Sequence, residues 1–371
     1  MKAGAAPAEK TGRRPPDVRR TRMAVLPQRE DHRLMPVLSA DRVWTGVTTT
    51  ADGRMFVSFP SADGPGLQVA EARPGGRFVP YPNAGWNQAR DDHDPVGAFV
   101  CVNGLRTGPD GRLWIVDAGA PGIGLPAVTG GARLIVIDLA TDAIARIFDL
   151  GAALRETSYI DDVRFNRQIA YITDAGAPGL IVLDLTTGQA RRVLDGHPST
   201  IDRRTMHADG QVLRGQDGSE LRVHADQLEV SPDGQYLYFQ PASGPLARTE
   251  TRWLDDPSVP DDALAERVET WLDTPTTGGT AIDAAGTIYL SDVEQRRILT
   301  ISPDRQVDTL VADPRLIWGD AMWIDGSGHL WIPAAQLNRT PGLAGGARSV
   351  DYPVWIYKLK IDATPPTHDH P

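Results

Sequence analysis

Cysteine is nearly absent from this chain. Cys101 stands alone among 371 residues, so no intramolecular disulfide can form. Beside the apolar pair Phe99-Val100, it reads as a small buried apolar residue rather than a nucleophile. Long apolar runs are missing too, which excludes a bilayer-spanning helix. Positive charge is in deficit: 38 Lys and Arg stand against 48 Asp and Glu, a net of −10. That balance argues against nucleic acid or an anionic membrane as partner. The motifs of several common chemistries are also lacking. There is no GxSxG elbow, no phosphate loop of the Walker type, no HExxH and no CxxC pair. The Gly-rich stretches 119–131 and 342–346 lack the strand-to-helix setting of a dinucleotide site and read as loops.

What the chain does have is repetition. A nine-residue phrase ending in a tight turn, followed at once by an apolar strand, begins at Thr45 (TGVTTTADG), Asn103 (NGLRTGPDG), Asp226 (DQLEVSPDG), Gly278 (GGTAIDAAG) and Asp320 (DAMWIDGSG). A degenerate copy without its turn glycine begins at Asp161 (DDVRFNRQI). A tight turn between alternating apolar runs is a hairpin signal, because the turn needs the positive φ that glycine adopts without strain. Six hairpins spaced at roughly 40 to 65 residues match the period of four-stranded propeller blades. Second strand pairs follow in 133–150, 179–196 and 296–313.

The predicted fold is therefore all-β, a six-bladed propeller. The last blade lacks a fourth strand, and RLMPVLS at 33–39 is expected to supply it and close the ring, which removes an exposed edge. The expected division is a basic, disordered tail over 1–24, one propeller domain over 25–362, and a disordered tail over 363–371 in which His368-Asp369-His370 is solvated. The first 24 residues carry no apolar core of the kind a secretory or twin-arginine signal needs, so the expected compartment is the cytoplasm. A monomer is expected.

Three stretches break the blade rhythm: 81–99, 197–225 and 248–273. Leu264, Val268 and Leu272, spaced by four, suggest a short helix in the last. The first and last are expected to be ordered covers over one face.

The phrases, together with DGHPST (195–200), SPDGQYLYF (231–239), RLIWGDAMWI (315–324) and LDDPSVPDDALAERVE (254–269), resemble the Yellow/major royal jelly protein family, whose members include dopachrome-converting enzymes. More distantly the chain is similar to the senescence marker protein/gluconolactonase propellers. The likeness covers about 33–361. It implies activity on a small molecule at the mouth of the central channel, with a metal in the lactonase-like relatives.

The phrase-opening residues Thr45, Asn103, Asp161, Asp226, Gly278 and Asp320 should gather at that mouth. Three converging carboxylates repel one another, and a divalent cation relieves this; all-oxygen ligands select calcium, magnesium or manganese. The resemblance carries the metal role to Asn103, Asp161 and Asp320, with Asp226 matching the aspartate of the Yellow-like SPDG blade. Three departures stand out. Thr45 occupies the position of a glutamate ligand, Asp161-Asp162 replaces Asn-Asp, and Thr277-Gly278-Gly279 replaces Ser-Asp-Gly, which implies a shifted metal, a weaker metal or an enlarged pocket beside Gly278. The substrate pocket is assigned to Thr45, Asp162, Gly278 and Trp318, and the catalytic roles to Asp320, Asp226 and His224. His224 or His93 would serve as general base. Asp117, Asp174 and Asp292, each ending a second strand, read as loop anchors. The expected reaction is metal-assisted lactone-type hydrolysis. The alternatives are a dopachrome-type tautomerase and a non-catalytic small-ligand binder.

Overall fold

The computed structural model describes residues 26–88 and 95–371. The basic segment 1–24 and His93 lie outside the described residues. Six four-stranded antiparallel sheets form the six blades. Their innermost strands are Gly46–Thr49, Val102–Thr107, Ile160–Asn166, Ala225–Val230, Thr277–Ile282 and Trp323–Ile324. Each begins at or next to a phrase-opening residue, apart from the last, where Asp320 precedes the strand. The turn glycines Gly53, Gly111, Gly234, Gly286 and Gly328 all have φ between 72° and 88°. In the copy without glycine, Arg167 takes the same left-handed conformation at φ 57°.

Ring closure is as expected. Met35–Ala40 pairs antiparallel with Val354–Lys360 and forms the outer strand of the sixth blade. The first and last blades are thereby locked together by a sheet ladder rather than by side-chain packing alone. Alternating apolar residues from neighbouring blades fill the space between them, as where Trp114, Leu134, Phe148, Val163, Phe165 and Ile172 pack into one buried cluster.

The loop-anchor reading of Asp117, Asp174 and Asp292 is visible atom by atom. Each carboxylate is buried and pairs with an arginine from a later strand of the same blade, Arg133 at 2.6 Å, Arg192 at 2.9 Å and Arg297 at 2.8 Å. The first two also accept backbone N–H groups from the segment leading into the inner strand, Val100 and Cys101 for Asp117 and Tyr159 for Asp174. A charge held by both an arginine and backbone donors is fully compensated, so these aspartates fix the mouth loops without being free for chemistry.

Two expectations about the irregular segments are corrected. Residues 248–273 do not cover the mouth: they contain two five-residue helices, Thr251–Asp255 and Asp261–Ala265, and the fourth strand of blade four, Glu269–Leu272. Leu272 thus belongs to a strand, and the four-residue spacing spans a helix, a turn and that strand. Because the third strand leaves the mouth and the fourth returns to it, this connection lies at the opposite end of the channel. The terminal residues are not solvated either. Asp369 is buried, accepting Arg106 Nη2 at 2.5 Å and Phe165 N–H at 3.1 Å, and the His370 ring stacks on Trp323 at 4.0 Å. The tail enters the far end of the channel, where Asp369 pairs with Arg106, an inner-strand arginine with no other carboxylate partner among the described residues. Among the described residues no helix is long and apolar enough to cross a membrane.

Candidate functional site

The mouth residues owe their placement to a shared irregularity. Four inner strands slip register where they begin: between Val102 and Gly104, Ile160 and Val163, Ala225 and Gln227, and Thr277 and Thr280. Such bulges re-aim side chains that a regular strand would alternate between faces. Asn103, Asp161, Asp226 and Gly278 sit on them and line a cavity of about 600 Å³, with Thr45, Asp162, His224, Trp318 and Asp320. The structure therefore brings together every residue assigned to the site from sequence except His93, which lies outside the described residues.

Several of the assigned roles change. Thr45 donates its hydroxyl to the carbonyl of Asn103 and meets Ser58 Oγ at 3.0 Å, so it braces the neighbouring blade. Asn103 points its amide N–H at the Asp161 carboxylate, and its Oδ1 accepts the Tyr159 hydroxyl at 3.2 Å. Asp162 is tied to Arg164 at 2.6 Å. The space beside Gly278 is not enlarged: a Cβ there would lie 2.2 Å from the carbonyl oxygen of Gly319, and one on Gly279 would lie 2.4 Å from the Asp320 backbone. The glycines let two strands approach instead of opening a pocket.

His224 also changes role. Its Nδ1 accepts the Asp202 N–H at 3.1 Å, and burial lowers its pKa. A neutral imidazole whose Nδ1 accepts must carry its proton on Nε2. His224 therefore offers the cavity a hydrogen-bond donor, not the general base expected from sequence.

The carboxylates form the floor. Asp161, Asp226 and Asp320 lie on three adjacent or opposed blades, are largely buried and have no arginine, lysine or histidine partner among the described residues. Burial raises the pKa of all three; Asp161 is raised further by Asp226, and Asp320 further by Asp161 and Asp162. Asp226 is pushed up to about 7, with Asp161 and Gln227 donating to its carboxyl against that trend. Asp320 Oδ1 accepts the Ala321 N–H at 2.8 Å, whereas its Oδ2 is buried without a hydrogen-bond partner among the described residues. Among the described residues, no three carboxylate, imidazole or thiol groups ring a common point as they stand. The contacts of Asn103 with Asp161 and of Asp161 with Asp226 draw the side chains onto one another. The donor set nevertheless fits a hard divalent ion in kind, being oxygen-rich, anionic and short of counter-charge.

Sequence reasoning missed Tyr159, buried between Asn103 and Cys101 (hydroxyl to Sγ, 3.5 Å), and it wrongly counted 248–273 as a mouth cover. The cavity is walled by Pro121, Ile123 and Leu125, by residues 215–224, and by Leu337 and Leu343. The signal for Tyr159 was its offset. Cys101, Tyr159, His224 and Trp318 each stand two residues before a phrase-opening residue, so they hold one position of the repeat and fall at the same end of the ring.

Comparison with solved structures places the fold among six-bladed propellers. A gluconolactonase from Xanthomonas campestris is 16% identical, with 92% of this chain and 99% of that one covered and a TM-score of 0.54. A luciferin-regenerating enzyme is 10% identical over 90% of this chain and 96% of that one, TM-score 0.53. An auxiliary nutrient binding protein from Bacteroides thetaiotaomicron is 9% identical over 88% and 75%, TM-score 0.51. At such identities the likeness is one of fold. Comparison with curated proteins by sequence gives no match. The sequence profile described as "Major royal jelly protein" matches residues 102–363, well over half of the chain, and the protein belongs to the major royal jelly protein family.

Proposed function

We propose that this protein is an enzyme acting on a small carbonyl compound at the channel mouth, by divalent-cation-assisted hydrolysis of a lactone-type ester. One observation carries the reading: three largely buried carboxylates from three blades face a cavity without a cationic partner among the described residues, and Asp320 Oδ2 has no hydrogen-bond partner among them. Burying an unpaired charge is costly enough that a group either stays protonated or finds a cation.

Asp161, Asp226 and Asp320, with the Asn103 amide oxygen turned inward, would hold the ion. Bound there, it would polarise a carbonyl oxygen and acidify water. The remaining steps belong to side chains. His224 Nε2–H donates to an oxygen of the ester and orients it. Asp320 Oδ2 accepts a proton from water as the water oxygen bonds to the acyl carbon. The ring C–O bond then breaks, and that proton passes to the departing oxygen, leaving a hydroxy acid. Asp162, held by Arg164, and Trp318, at φ 54°, fix the wall beside Asp320.

A second reading has its own support. Asp161 and Asp226 raise one another's proton affinity, and a proton shared between them would satisfy both carboxyls without an ion, as a ligand binder or a tautomerase would allow. The two readings separate in a thermal melt with calcium, magnesium or manganese, run beside a lactone panel. A cation at 100 times its Kd should stabilise the wild type by about 2.7 kcal/mol. Asp320→Ala should lose both that response and turnover. A wild type whose melting ignores all three ions would leave the second reading in place.

A further inference from the structure

The cavity has two unlike halves. Its floor is the acidic set already described. Its upper wall is apolar and comes from three separate loops: Ile123 and Leu125, Leu337 and Leu343, and Trp318 beside Asp320. Ile123, Leu337 and Leu343 are half-buried and pack on a cluster that contains Met206, Leu213 and Trp318, so the wall is backed by core. Leu125 remains 49% exposed.

Several polar groups near this wall are already engaged. Ser61 Oγ donates to the Pro121 carbonyl at 2.7 Å, and Ser219 Oγ to Asp217 at 2.6 Å. Arg222, the one arginine lining the cavity among the described residues, pairs with Glu220 at 3.0 Å and lies 3.6 Å from Asp202. A ligand covered in hydroxyl groups would find few free partners on this wall and would lose its hydration there. An anionic ligand would face carboxylates without a free guanidinium.

We infer that the substrate class is an uncharged lactone carrying an alkyl or aryl body, seated with its ester over the Asp161, Asp226 and Asp320 floor and its body against Ile123, Leu125, Leu337 and Leu343. Resting on the hydrolytic reading above, this inference adds that sugar-type lactones are poor ligands. Removing the apolar body from water supplies the binding energy, while the floor acts on the ester alone.

The test uses two hydrolytically inert analogues, an alkyl-substituted δ-lactam and gluconolactam, titrated calorimetrically into the full chain with and without magnesium. The alkyl lactam should bind at least about tenfold more tightly, since a few buried methylenes suffice for that ratio. Leu125→Gln and Leu343→Gln should each weaken it several-fold while leaving gluconolactam and the cation-dependent melting shift unchanged. Leu125 is exposed enough for its substitution to leave folding intact, and the wild-type ratio stands without either variant. Equal affinities, no binding of either lactam, or Gln variants that bind like the wild type would each overturn the inference. Selective binding without any turnover of lactones would retain the pocket and discard hydrolysis. Selective binding with no melting response to cations would discard the ion.

Discussion

Gly279 shows how closely the site depends on single atoms. Its missing side chain admits the backbone of Asp320, so Gly279→Ala should cost about 1–3 kcal/mol in urea unfolding by overpacking and should blunt the response to cations. Gly326, with no atom within 4 Å of a would-be Cβ and an unstrained φ, is the control, and its alanine variant should melt like the wild type. Asp117→Ala separates structure from chemistry. It leaves Arg133 buried and unpaired, a loss of about 3–5 kcal/mol, yet it should retain the cation response because Asp117 takes no part in the floor. A variant that kept its stability but lost its response would place Asp117 in the site instead.

Among the elements, the terminal segment is the least expected. Residues 364–371 reach the channel interior, where Asp369 meets Arg106 and Phe165 N–H and His370 stacks on Trp323. Burial lowers the His370 pKa to about 3, while Arg106 and Arg164 hold Asp369 below its ordinary value against its burial. The two shifts act in the same direction. Below the usual histidine range the unfolded chain binds a proton that folded His370 refuses, so stability falls as pH drops from about 6.5 toward 3. Asp369 adds to this loss at the acid end, because its stabilising charge disappears as pH falls through its depressed pKa. The His370 ring resonance, followed by NMR, should stay in its neutral position at pH 5. A shift to the imidazolium position by then would mean that the ring is solvated. Deleting 364–371 should remove this acid sensitivity and lower the melting temperature, because Arg106 then lacks its partner.

Closure is the property of the whole molecule. Among the described residues, Met35–Ala40 is the one strand taken from the far end of the chain into the sixth blade, and it pairs with Val354–Lys360 from Met35 to Ala40 across a bulge at Val37. A chain beginning at residue 25 keeps that strand and should melt as one cooperative unit. A chain beginning at 41 exposes the edge of Val354–Lys360 and separates the first blade from the last, so it should aggregate or unfold. A soluble 41–371 fragment with a single sharp transition would show that side-chain packing between blades suffices to hold the ring.

The blade count, the inner hairpins and the closing strand were legible in the sequence because turn glycines and alternating apolar residues act over a few neighbours, and a ring repeats that local grammar six times. The convergence of Asn103, Asp161, Asp226 and Asp320 was legible for the same reason, since residues at one offset in each repeat share one end of the ring. Tertiary structure alone decided what those residues face. The bulges at the strand starts, the Nδ1 contact that makes His224 a donor, the loops that supply Leu125 and Leu343, and the tail paired with Arg106 all join positions far apart in the chain. Such contacts follow from how whole blades pack around the channel, and no local pattern of residue types encodes them.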